Sequence, residues 1–163
     1  MTITKLMPPG SKVWIYQSDR KFTSEELVEL NKRVSDFVDK WTSHSKLVNA
    51  NFEWRYSRFL ILYLDESHVA AGGCSIDSSV HFVKALEKDF QTSLTNRMNF
   101  AFKVGNEVEV VSRSEFEKLI SEGEITDQTI VFNNLVNNKK DFDSAWEIPL
   151  NQSWHKQFFT VKA

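Results

Sequence analysis

Leu27, Leu30, Val34, Phe37, Val38 and Trp41 recur at the three-and-four spacing of one helix face, while Asp36, Asp39 and Lys40 fall toward the other. Thr23, with Glu26 three residues later, supplies a capping box at the start of this run. The pattern predicts a helix from about Ser24 to about Thr42. Upstream, Val13-Trp14-Ile15-Tyr16 is short, β-branched and aromatic, and reads as a first strand. Downstream, Phe52-Glu53-Trp54-Arg55-Tyr56 alternates apolar and polar, which suits a half-exposed strand. Phe59-Leu60-Ile61-Leu62-Tyr63-Leu64 is continuously apolar, the pattern of a strand buried on both faces. The two segments read as a hairpin around Ser57-Arg58 or as one long bent strand.

After Asp65 the chain becomes small and loop-like as far as Gly73. A second helix is expected from about Ser75, with Ile76, Val80, Val83, Leu86 and Phe90 on its inner face. Gly105-Asn106 lies between Phe100–Val104 and Glu107–Val111, a strong two-residue hairpin signal. Ser112 or Ser114 can cap a third helix carrying Phe116, Leu119 and Ile120, stopped at Gly123. Thr129-Ile130-Val131-Phe132 is a further strand. From Phe142 to Phe159 the chain is rich in aromatic residues and broken at Pro149, which predicts short irregular pieces packed on the body. Residues 1–10, ended by Pro8-Pro9-Gly10, read as a flexible lead-in, and 11–163 as a single globular domain. The expected class is α/β or α+β, with a mixed sheet of about six strands covered by about three helices.

Composition adds limits. The 163 residues are 41% hydrophobic and include 13 Phe and 5 Trp, enough to fill a core, whereas only 5 Gly and 3 Pro leave little room for disorder. The 20 basic and 22 acidic residues give a net charge of −2, so there is no bulk attraction toward nucleic acid or anionic lipid. No apolar run approaches the ~20 residues of a membrane helix. The N-terminus lacks the apolar core of a secretory signal, and the single cysteine, Cys74, cannot close an internal disulfide. These features point to the cytoplasm, with no nucleic acid and no membrane as partners.

The richest stretch for chemistry is the strand–loop–helix passage from Phe59 to Phe90. Ligands of open α/β sheets gather beyond strand ends, where unpaired N–H groups of a following helix can hold an anion. Gly73, Ser75 and Ser79 are the candidates for that role, against the plainer reading in which Ser75 or Asp77 only caps the helix. A helix start also stabilises a thiolate, which makes Cys74 a candidate nucleophile. Asp77 and Asp65 are candidate acid–base carboxylates, and His155 or His44 a candidate base reached through the fold. The four histidines show no metal-ligand spacing, so neither a metal nor another cofactor is expected. Trp154, Phe158 and Phe159 form an aromatic tail that either completes the core or binds a partner, a second copy of the chain included.

Val13-Trp14-Ile15-Tyr16-Gln17, Gly73-Cys74-Ser75-Ile76-Asp77 with Ser79-Val80, Thr129 to Val136, and Ser153-Trp154-His155 with Phe158-Phe159 together carry a resemblance. The chain resembles, from about Ser11 to Phe159, a family of short, uncharacterised proteins from Bacteroidetes-type bacteria often labelled "ABC transporter ATPase". That label implies a G-x-x-x-x-G-K-[ST] loop whose lysine reaches the β- and γ-phosphates. Ala70-Ala71-Gly72-Gly73-Cys74-Ser75 offers glycines and a hydroxyl but no such lysine. The resemblance therefore implies a family and no ATPase activity. Two functions stay open: a non-enzymatic binding or interaction protein, or a small hydrolase or transferase built around Cys74 and Asp77.

Overall fold

Strand β1 (Lys12–Gln17) and the hairpin β4 (Asn49–Arg55) and β5 (Phe59–Asp65) form an antiparallel sheet in the order β1-β5-β4, with helix α1 (Ser24–Lys40) and a small hairpin of β2 (Thr42–Ser43) and β3 (Lys46–Leu47) between them in the chain. The computed structural model describes residues 7–43, 45–67 and 69–160. Helix α2 (Gly73–Phe90) follows β5. These elements belong to a first compact unit, residues 1–95 with 137–140. The second unit comprises residues 96–136 and 141–163. It carries β6 (Asn99–Val104), β7 (Glu107–Ser112), α3 (Arg113–Ser121), β8 (Ile130–Phe132), most of α4 (Lys139–Ala145), β9 (Glu147–Pro149) and α5 (Gln157–Thr160). Its sheet runs β7-β6-β8-β9.

The mixed α/β class is as expected, but the strands are distributed differently. Among the described residues nine strands lie in sheets of three, two and four, and every pairing is antiparallel. Two of these pairings are set by local turns. The short turn at Tyr56–Arg58 folds β4 back on β5, with Tyr56 and Ser57 both at positive φ, and Gly105 at φ 62° does the same for β6 and β7. Of the expected lead-in, residues 1–6 lie outside the described residues. Ser11 and Pro9 accept backbone hydrogen bonds from Lys139 and Lys140. Lys139 and Lys140 open α4.

Every side chain from Phe59 to Leu64 is buried, in keeping with the continuous apolar run. Leu60, Leu62 and Leu64 pack with Leu30, Val34 and Val38 of α1 and Val83 and Leu86 of α2 in the core of the first unit. The open edge of β4 is blunted where Asn51 Oδ1 accepts the N–H of Phe52 at 2.8 Å, a hydrogen bond that a docking strand would otherwise take.

The predicted capping box on α1 is complete: Thr23 Oγ1 accepts from Glu26 N at 3.1 Å, and Glu26 Oε1 accepts from Thr23 N at 3.0 Å. Arg20 joins it, donating to both oxygens of Glu26 and to the carbonyl of Phe90 near the end of α2. The Arg20 guanidinium, helped by the Thr23 N–H, holds the Glu26 carboxyl down at about 2. A carboxylate with a lowered pKa stabilises the fold fully above its unfolded value. That contribution is lost as pH falls from about 4.5 through 2. Glu26→Gln is therefore expected to cost about 1 kcal/mol at pH 7 and almost nothing near pH 2. Urea unfolding of both proteins at the two pH values checks this.

Candidate functional site

Helix α2 begins two residues earlier than its apolar spacing suggests, at Gly73, with Gly72 as N-cap. Glycine offers no capping oxygen, and Ser75 works in the reverse direction. Its Oγ accepts the Gly72 N–H at 2.8 Å and donates to the Gly72 carbonyl at 2.7 Å. Neither Ser75 nor Asp77 caps the helix in the expected sense.

The inner face of α2 also differs from the expected one. Ser75, Ser79, Val83 and Leu86 are buried, while Ile76 and Val80 are only half-buried. Serines can face a core here because each hydroxyl is satisfied by its own helix: Ser79 Oγ donates to the Ile76 carbonyl at 2.6 Å. Their small size lets Trp41, just past the end of α1, approach closely enough for its Nε1 to donate to the Ser75 carbonyl at 2.8 Å. Further along, Arg33 Nη1 pairs with Asp89 Oδ2 at 2.7 Å. The two helices thus run antiparallel, with Trp41 beside the start of α2 and Arg33 beside its end.

Between these two contacts lies a groove of about 420 Å³. Its floor is aromatic. Phe37 stacks on Phe82 with centroids 4.4 Å apart and planes 8° apart, and Trp41 sits 5.2 Å from Phe37. Its rim carries Arg33, Asp36 and Lys40 from α1 and Ser78 from α2. Arg33 is committed to Asp89 and also lies over the Phe90 ring. Asp36 and Lys40 are exposed, and among the described residues neither side chain has an ion-pair or hydrogen-bond partner. Volume and lining are those of a pocket for a small molecule or for one protruding side chain.

The residues singled out in the sequence lie around this groove or elsewhere. Cys74 is exposed and sits one turn from Ser78, whose hydroxyl donates to the Cys74 carbonyl at 3.0 Å. Among the described residues its thiol has no hydrogen-bond partner. Asp77 is exposed on α2, and Gly73 is exposed at the helix start. Asp65 closes β5 and accepts from Asn49 Nδ2 at 3.1 Å and from Ser67 N at 3.0 Å. His44 lies outside the described residues.

His155 belongs to the second unit and is 1% exposed. Ser153 Oγ is 2.7 Å from its Nδ1, and the rings of Trp154, Phe100 and Phe116 surround it. Burial alone pushes its pKa down to about 4, so the imidazole is neutral at physiological pH. Trp154, Phe158 and Phe159 pack into the same aromatic core, with Phe158 buried and the other two half-buried. The tail completes its own unit.

The aromatic groove was missed in the sequence. Phe37 belongs to the inner stripe that the spacing predicts for α1, whereas Phe82, directly before the buried Val83, falls outside the stripe predicted for α2. An aromatic residue beside an inner stripe, opposite another on a neighbouring helix, was the available signal. Among the described residues no three His, Cys, Asp or Glu side chains gather as a metal site, and no helix is long and apolar enough to cross a membrane. Comparison with known protein families, curated proteins and solved structures finds no match for this chain.

Proposed function

We propose that this chain is a non-enzymatic, cytoplasmic binding protein whose working surface is the groove between α1 and α2. The observation that carries this is the stacked Phe37–Phe82 pair, half-buried and forming the floor of an open groove of about 420 Å³. Paired rings that only filled a core would be covered; these are half-buried and line the groove. Among the described residues the groove lining contains one carboxylate, Asp36, and no histidine or cysteine, a set that suits holding a ligand. The exposed thiol of Cys74 fits a reducing compartment.

N-Acetylphenylalaninamide, an uncharged carrier of one aromatic side chain, is the probe. A ligand that binds only the folded chain stabilises it by about 1.4 kcal/mol at ten times its Kd. Thermal unfolding is expected to move upward with the probe in the wild type and in Cys74→Ser, and not in Phe82→Ala. An unchanged midpoint in the wild type removes the groove as a binding site. Loss of the effect in Cys74→Ser would favour the alternative, a small hydrolase or transferase centred on Cys74 and Asp77.

A further inference from the structure

The rim of the groove carries more information than its floor. Asp36 and Lys40 are four residues apart on one helix, so their side chains leave the same face one turn from each other. Oppositely charged residues at this spacing commonly pair, yet here both remain open beside the aromatic floor. The third charge, Arg33, is already spent on Asp89. Among the described residues the groove thus offers one free anion and one free cation, above stacked rings. Ser78 adds a hydroxyl oxygen that can still accept, since its proton goes to the Cys74 carbonyl.

We infer, resting on the groove being a binding site, that its ligand is a free aromatic amino acid held as a zwitterion. The aromatic side chain lies on Phe37 and Phe82, the α-carboxylate faces Lys40, and the α-ammonium faces Asp36 with Ser78 as a further acceptor. Charge complementarity selects this occupant. A peptide N-terminal residue brings an ammonium without a neighbouring carboxylate, and a C-terminal residue brings the carboxylate without the ammonium. Only the free amino acid answers both rim charges from one carbon atom. Breaking the weak attraction between Asp36 and Lys40 costs little, because helix pairs at this spacing contribute only a few tenths of a kcal/mol.

Four compounds separate the contributions: phenylalanine, phenylalaninamide with only the ammonium, N-acetylphenylalanine with only the carboxylate, and uncharged N-acetylphenylalaninamide. Affinities are read by ¹H–¹⁵N NMR titration of the full chain. Phenylalanine is expected to bind roughly three- to fivefold tighter than either singly charged analogue, the size of one exposed ion pair. Asp36→Asn should bring phenylalanine down to the level of N-acetylphenylalanine, and Lys40→Gln to that of phenylalaninamide. Both positions are exposed, so these variants keep the fold.

Equal binding of all four compounds, or a preference for phenylalanine that survives both substitutions, overturns the zwitterion while leaving the groove as a site. Tightest binding by N-acetylphenylalanine or by phenylalaninamide overturns it in favour of a peptide terminus. If none of the four shifts resonances at the groove, the groove itself fails as the binding surface, and the inference with it.

Discussion

Phe116→Ala is expected to lower stability by about 3–5 kcal/mol, the range for deleting a large buried aromatic side chain. Phe116 projects from α3 and is fully buried. Its ring meets Phe100 edge-on at 5.2 Å, Phe158 at 6.0 Å and Phe102 at 6.2 Å, with His155 at 5.8 Å. No single neighbour can move into the space without leaving its own contacts, so the loss of buried area and the cavity add. Phe159→Ala, at a half-buried position on the same core, should cost roughly 1–2 kcal/mol, in proportion to its partial burial. Urea unfolding ranks the two. A Phe116→Ala cost below that of Phe159→Ala would mean that the tail does not dock as described.

The second large effect is a pH dependence set by His155. Burial holds its folded pKa at about 4, whereas the unfolded chain protonates near 6.5. Between these values the unfolded state binds a proton that the folded state refuses, so stability must fall as pH falls. The contribution is fully present above about pH 6.5 and is lost progressively as pH drops through 4, amounting to about 3 kcal/mol. Glu26 acts in a lower window, from about 4.5 to 2, so the two groups separate along the pH axis. His155→Gln keeps a hydrogen-bonding side chain beside Ser153 and removes the titration. Unfolding free energies at pH 7, 6, 5 and 4 should slope in the wild type and run nearly flat in His155→Gln. An equal slope in both would place the responsible proton elsewhere.

Sequence periodicity located most of the elements because their signals are local. Thr23 and Glu26 define the start of α1 by side-chain chemistry alone, and Gly105 is required by the positive φ of its turn. The apolar run from Phe59 to Leu64 requires burial on both sides, and β5 has it. What escaped depends on partners far along the chain. Two-residue strands such as β2 and β3 are too short to show a period. Ser75 and Ser79 read as polar, yet they face the core because their hydroxyls are satisfied within α2 and because Trp41 needs room. The division into three antiparallel sheets follows from which strands pair, and pairing partners leave no trace in the pattern of any one strand.

The candidate site was legible in pieces. Cys74, Ser78 and Phe82 follow one another at one-turn spacing along α2, and the latter two line the groove. His155 is enclosed in the second unit, and among the described residues the Cys74 thiol has no hydrogen-bond partner. The aromatic floor is a product of tertiary packing, because Phe37 and Phe82 become neighbours only when α1 and α2 lie antiparallel.

The most direct test of the binding groove is where a ligand lands. In a ¹H–¹⁵N titration with N-acetylphenylalaninamide, the largest shifts are expected at residues 33–42 and 78–82, and Phe82→Ala should abolish them. Shifts scattered over the surface, or concentrated away from these two segments, would contradict the groove as the working surface of this protein.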